Sequence, residues 1–199
     1  MERTIILSIK EKDECPEKEV TIPFGTVYTN DTDLAIFSGC TKIIGNLHIR
    51  GSFQPTFSIF HCLKKITGYF SIDNNTLLTS VSGFENLASI GGFFSIGSNA
   101  LLTSLMGFGN LASISGGFYI YTNALLTSIS GFANLATVGG IFFISFNALL
   151  TSVSVFGNLT TVGGDFFIDK NVALASVSGF DNLESIGGIF KIDKNVALA

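Results

Sequence analysis

The chain has 199 residues, 47% of them apolar, with 15 acidic against 11 basic side chains and a net charge of -4. That length and apolar share are enough for a buried core and exclude a disordered tail. The acidic balance, with no basic cluster beyond Lys64 and Lys65, excludes a nucleic-acid partner held through its phosphates.

The amino end, MERTIILSIKEKDEC, carries only IILSI as an apolar run, shorter than the ~7–15 residues of a signal peptide's central region. Such a chain is cytosolic, or its leader is trimmed or lies upstream. No apolar run reaches the ~18 residues that span a bilayer, so no transmembrane segment is expected. Charge then thins out: between Ile66 and Asp165 the charged residues are Asp73, Glu85 and Asp165. Solubility over that stretch rests on Ser, Thr, Asn and Gly.

The same stretch is a repeat. Asn75, Asn99, Asn123, Asn147, Asn171 and Asn195 are 24 residues apart, as are Asn86, Asn110, Asn134, Asn158 and Asn182. The pairs Gly91-Gly92, Gly139-Gly140, Gly163-Gly164 and Gly187-Gly188 keep the register. After Asn99 the apolar positions are Leu102, Leu105, Phe108, Leu111 and Ile114, a stride of three, and then Phe118 and Ile120, a stride of two. A stride of two is a strand, whereas repeated steps of three suit a chain bending through short extended or 3-10 segments. The predicted fold is a repeat solenoid, a right-handed parallel β-helix with 24-residue rungs, one strand per rung and little or no regular α-helix; its inward residues fill a core that no single rung makes alone. An inward Asn at each strand end is expected to serve buried backbone groups of neighbouring rungs, making a structural ladder of Asn75, Asn99, Asn123, Asn147, Asn171 and Asn195. The glycine pairs are expected to allow a tight, left-handed turn, and Phe84, Phe108, Phe132, Phe156 and Phe180 to stack on the return side.

The segments GCTKIIGNLHI (residues 39–49), CLKKITGYFSIDNN and NLASIGGFFSIGSN resemble the receptor L domain, a leucine-rich-repeat-like solenoid, and are closest to the L-domain-like segments of microbial and fungal surface proteins. The resemblance covers roughly residues 39–199. It implies an amino-terminal segment and cap over residues 1–39 and the solenoid over 40–199; the chain departs from the family in halting partway through a rung at Ala199, as expected of a fragment or of a chain whose open end is covered by something else. It also implies a disulfide between Cys40, just before the first I-x-G-x-L-x-I unit, and Cys15, hence an oxidising, extracellular or cell-surface setting. Cys62 replaces the Asn of an NL pair, where it competes for that bond or packs as a small buried residue. Phe stands where receptor strands carry Leu.

On the strands, residues alternate between core and exterior. The outward positions Phe93, Tyr119, Tyr121, Ile141, Phe143, Phe146 and Phe167 are expected to form one aromatic patch that binds a protein or glycan partner, since contiguous exposed apolar surface of this kind marks interaction sites. Stacked aromatics that only stabilise the sheet are the plainer alternative.

Signs of catalysis are sparse. His48 and His61 are the only histidines, and no zinc spacing or phosphate loop is present. Asp165, Asp169 and Asp193 with Lys170, Lys191 and Lys194 read as a charged, solvated ladder, calcium binding being a minor possibility. The triplets at Asn30, Asn74 and Asn158 fit the glycosylation sequon. The expectation is a non-enzymatic recognition or adhesion module without cofactor or metal. A structural, self-associating wall repeat is the alternative, and ice binding by Thr79, Thr103, Thr127 and Thr151 ranks low, because each Thr is followed by a Ser that does not share its face.

Overall fold

The computed structural model describes residues 15–23, 34–52, 54–57 and 59–198. The Asn30 sequon and residues 1–14 of the amino-terminal segment lie outside them. The described residues form a parallel β-solenoid of about seven turns. Four-residue strands recur at Leu47–Arg50, Phe70–Asp73, Phe94–Gly97, Phe118–Tyr121, Phe142–Ser145, Phe166–Asp169 and Phe190–Asp193, side by side in chain order in one parallel sheet. Phe118 pairs with Phe94 and Phe142, and Ile120 with Ile96 and Ile144, so each residue lies on its own copy.

Two shorter strands per rung accompany the long one. An eight-stranded parallel sheet runs from Glu19–Thr21 and Lys42–Ile44 through two-residue strands such as Ser113–Ile114 to Ser185–Ile186. The segment expected as a cap thus adds a strand to the solenoid's own sheet, with Val20 against Ile43. A third face carries Ser80–Val81, Ser104–Leu105 and Ser128–Ile129, then Ser152–Val153 with Ser176–Val177. It divides just before the rung where Val155 stands in register with the positive-φ glycines Gly83, Gly107, Gly131 and Gly179. Two-residue strands separated by turns account for the stride of three.

The interior is a phenylalanine zipper. Phe70, Phe94, Phe118, Phe142 and Phe166 stack along the strand side, and Phe60, Phe84, Phe108, Phe132 and Phe156 along the return side, all fully buried. Within a column the rings are nearly parallel, as for Phe94 and Phe118 at 5.1 Å and 6°. Between columns they meet edge to face, as for Phe118 and Phe132 at 5.1 Å and 88°. Both geometries match the ring quadrupole, and each such pair contributes about 0.5–1.5 kcal/mol beyond its burial.

At the end of each long strand the chain turns through a left-handed residue: Gly51 after the first, with φ 65°, then Asn74, Ser98, Thr122, Phe146, Lys170 and Lys194, with φ between 54° and 58°. The following Asn points inward. Asn123 Oδ1 accepts from the Asn99 backbone N–H at 3.1 Å and from Asn99 Nδ2 at 3.3 Å, while Asn123 Nδ2 donates to the Ile96 carbonyl at 3.0 Å and to Asn147 Oδ1 at 3.3 Å. The same pattern runs from Asn75 to Asn195, and Ser52 begins it by donating its N–H to Asn75 Oδ1. Among the described residues no buried side-chain nitrogen or oxygen lacks a partner.

The paired glycines work differently from the expectation. None of Gly91, Gly92, Gly139, Gly140, Gly163, Gly164, Gly187 and Gly188 has a positive φ. They are required because rungs approach there: a Cβ on Gly140 would lie 2.9 Å from the Gly117 nitrogen of the preceding rung. Backbone contact, not handedness, selects glycine at these sites.

The expected Cys15–Cys40 disulfide is not the one formed. Cys15 bonds to Cys62, with Cα atoms 5.3 Å apart, and Cys40 is a free, buried thiol. The register explains the choice. Thr41 pairs with Lys64 through the Lys64 N–H, which places Cys40 level with Leu63 in the core and Cys62 one residue off it. Cys62 falls in register with Asn86, Asn134, Asn158 and Asn182, each of which donates its amide to a carbonyl of the preceding rung. Where later rungs reach back by a hydrogen bond, this one reaches back covalently. The Cys40 Sγ instead donates to the Lys42 carbonyl, and burial pushes its thiol pKa up.

Asn123→Ala would strand the buried Asn99 N–H and the Ile96 carbonyl, and is expected to lower stability by about 3 kcal/mol; Asn134→Ala, which removes only an exposed bond to the Gly109 carbonyl, is expected to cost under about 1 kcal/mol. Urea unfolding followed by circular dichroism reads both. Iodoacetamide is expected to spare the native oxidised protein and to label Cys40 alone once the chain is unfolded without reductant, while a Cys15–Cys40 peptide in a non-reducing digest contradicts the pairing.

The aromatic strand face as candidate binding site

The long strands turn alternate residues outward, and the outward side chains of neighbouring rungs stand in columns. Ser95, Tyr119, Phe143, Phe167 and Lys191 form one; Gly97, Tyr121, Ser145 and Asp169 form the next. Just ahead of the strands run Tyr69, Phe93, Gly117 and Ile141, again one per rung. Tyr69 and Phe93 are stacked at 4.5 Å and 4°. Gly117 then interrupts this column, and Tyr119 fills the gap: a Cβ on Gly117 would meet the Tyr119 ring at 2.6 Å. Phe93 meets Tyr119 edge-on at 6.3 Å, Tyr119 meets Phe143 at 6.3 Å, and Phe143 meets Phe167 at 6.5 Å. One slanting run of rings therefore crosses five rungs.

Tyr121 has a glycine seat of its own. Its ring lies over Gly97 of the preceding rung, where an added Cβ would come within 2.3 Å of the ring's Cζ. Both tyrosines are thus folded down onto the sheet and half-buried. Neither hydroxyl has a hydrogen-bond partner among the described residues. Beyond them, Tyr119, Tyr121, Ile141, Phe143 and Phe167 line an open cleft of about 360 Å³ with wholly apolar walls.

Of the seven residues expected in the patch, these five share the cleft. Phe93 is exposed beside it, in contact through Tyr119. Phe146 does not line it: it sits at the left-handed corner, 49% exposed, with Lys170 Nζ 4.4 Å from its ring centroid. Tyr69, Gly97 and Gly117 are the members that residue type alone did not select. Their signal was register, because each is read only against its neighbour one rung away.

Polar groups frame the run of rings. On its amino-terminal side His48 Nε2 meets Asp73 Oδ1, Ser71 Oγ donates to the same oxygen at 3.3 Å, and Arg50 Nε lies 3.5 Å from Asp73 Oδ2. The serine hydroxyl is bound to the carboxylate and not to the imidazole, so the group lacks the nucleophile-to-base hydrogen bond that activates a hydroxyl. On the other side Lys191 and Asp193 pair at 3.3 Å and Lys170 and Asp169 at 3.7 Å. The Lys191 hydrogen bond, with the Lys194 N–H, holds the Asp193 carboxyl below the usual range, while Asp165 accepts the Ile189 N–H at 2.7 Å. On the third face Thr79, Thr103 and Thr127 donate their hydroxyls to Pro55, Thr79 and Thr103 carbonyls. These donors are engaged within the fold.

Among the described residues no helix is long and apolar enough to cross a membrane. Comparison with known families adds one finding. Residues 39–103 match the family model of the receptor L domain. The resemblance read from the sequence holds over that stretch, which runs from the rung of Cys40 to the rung of Phe93. Receptor L domains are receptor-type domains, and the match points to a recognition module. The cleft residues lie in later rungs that carry the same repeat. No curated protein and no solved structure matches the chain.

Gly97→Ala is expected to lift Tyr121 off its seat. With no tryptophan in the chain, tyrosine emission reports the change as stronger acrylamide quenching than in the wild type, with a stability loss of about 1 kcal/mol from strain. Unchanged quenching contradicts the packing of Tyr121 on Gly97.

Proposed function

We propose that this protein is a non-catalytic recognition module of a surface or secreted protein, and that it binds a protein partner by taking an apolar or aromatic side chain into the strand-face cleft. The observation that carries the reading is the cleft of Tyr119, Tyr121, Ile141, Phe143 and Phe167, open to solvent and wholly apolar. Rigid aromatics of this kind are the usual anchors of protein interfaces. An apolar wall fits a protein side chain better than a sugar, whose hydroxyls need polar partners on burial. The receptor L domain match over residues 39–103 supports recognition, and the Cys15–Cys62 disulfide suits an oxidising, extracellular setting.

A second reading, a self-associating structural repeat, draws on Leu77, Leu101, Leu125 and Leu149, an exposed leucine on each of four successive rungs beyond the Asn corner.

A random-peptide display library selected on the immobilised protein is expected to return sequences rich in aromatic or aliphatic residues. Their affinity should fall at least tenfold, about 1.4 kcal/mol, in the double variant Tyr119→Ser/Phe143→Ser, with circular dichroism confirming the fold. Peptide binding that survives the double substitution overturns the reading. Glycan-array binding lost in the same variant replaces the protein partner with a carbohydrate, and concentration-dependent association lost in a variant of Leu101 and Leu125 favours the structural role.

A further inference from the structure

The disulfide has a neighbour that a disulfide does not need. Cys15 Sγ, Cys62 Sγ and a ring nitrogen of His61 all lie within 4.8 Å of one another. The ring of His61 is exposed and makes no hydrogen bond or ion pair with any described residue. Its backbone is nonetheless held firmly. The His61 carbonyl accepts Asn86 Nδ2 at 2.7 Å, the Leu63 N–H closes the turn onto the Phe60 carbonyl at 2.8 Å, and Phe60 is buried in the core, stacked on Phe84 at 4.8 Å. Two of the three donors therefore ride on one anchored turn, and the third, Cys15, comes from the segment that leads into the strand Glu19–Thr21.

Two sulfurs and an imidazole are the ligand set of zinc. Tetrahedral zinc holds sulfur at about 2.3 Å and nitrogen at about 2.0 Å, which puts neighbouring ligand atoms roughly 3.5–3.8 Å apart; the imidazole nitrogen already lies within 4.8 Å of both sulfurs, and the sulfurs, bonded to each other here, have to move apart to that spacing once reduced. Three protein ligands leave a fourth position, and the exposure of His61 opens it to water.

We propose that Cys15, Cys62 and His61 form a redox-exclusive zinc site, closed as a disulfide in oxidising surroundings and binding one zinc ion once the disulfide is reduced. A dithiol supplies the reduction by thiol–disulfide exchange: two electrons and two protons convert the Cys15–Cys62 bond to two thiols, and the dithiol leaves as its own disulfide. Zinc then binds two thiolates and the neutral imidazole, releasing the two thiol protons. In either state the first rungs stay clasped to the segment at Cys15, covalently or through the metal. Cys40, buried and turned to the Lys42 carbonyl, takes no part.

The test uses cobalt(II), a spectroscopic stand-in for zinc, on the full chain in the Cys40→Ala background. Protein reduced with a dithiol and desalted without oxygen is expected to bind one equivalent, with the visible bands of tetrahedral cobalt and a near-ultraviolet thiolate charge-transfer band, and to yield the cobalt to zinc. The oxidised protein is expected to show neither. Cys62→Ser should abolish the charge-transfer band or halve it with loss of tight binding, and His61→Ala should weaken binding at least tenfold. The proposal is overturned by equal binding in the oxidised protein, by binding indifferent to both substitutions, or by no binding to a reduced chain that circular dichroism shows folded. A reduced chain that unfolds and is not refolded by zinc overturns it as well.

Discussion

Every feature of this molecule depends on stacking a residue upon its own copy. A 24-residue lap returns the chain to the same place one strand spacing higher, so a phenylalanine meets a phenylalanine, an asparagine meets an asparagine, and a glycine meets backbone. The constraint is severe, since a slip of one residue would send the inward Phe and Ile of a strand to the outside. It is enforced by two kinds of ladder acting at different points of the lap. The rings supply apolar burial without direction. The asparagines supply direction, because each amide is satisfied only by the matching atoms of the rungs above and below.

This division explains where polar atoms are tolerated in the core. The left-handed corner after each long strand leaves backbone groups facing inward, and such groups are costly when unpaired. An asparagine side chain, with donor and acceptor on one planar amide, answers both at once and passes the bond on to the next rung. The corner residue before it carries the strain. Thr122 and Phe146 hold positive φ although neither is a residue that favours it, and they are kept there by the Asn that follows.

The outer face obeys the same stacking but without its uniformity. Inside, each column is nearly homogeneous; outside, the columns change from rung to rung, from serine and glycine to tyrosine, then phenylalanine, then charge. A tyrosine beside a glycine lies down on the sheet, and the cleft opens between Tyr119 and Tyr121, seated in this way, and Ile141, Phe143 and Phe167 beyond them. A rigid scaffold thus presents a single non-repeating surface, which is what selective recognition asks of a repeat protein.

The architecture was legible in the amino-acid order because its signal is written many times: the spacing of Asn75 to Asn195 and the alternation at Phe118 and Ile120 define the period, the inward face and the ladder. What occurs once was not legible. Cys15 had two candidate partners, and only the pairing of Thr41 with Lys64 turned Cys40 into the core and brought Cys62 to the edge. The glycine pairs looked like turns until the closeness of successive backbones showed what they accommodate. Gly97 and Gly117 acquired meaning only when Tyr121 and Tyr119 came to rest on them. Repetition fixes the path of the backbone through local, averaged preferences, whereas a disulfide, a bare seat for a ring or a cleft is set by particular side chains meeting across rungs, and that meeting exists only in three dimensions.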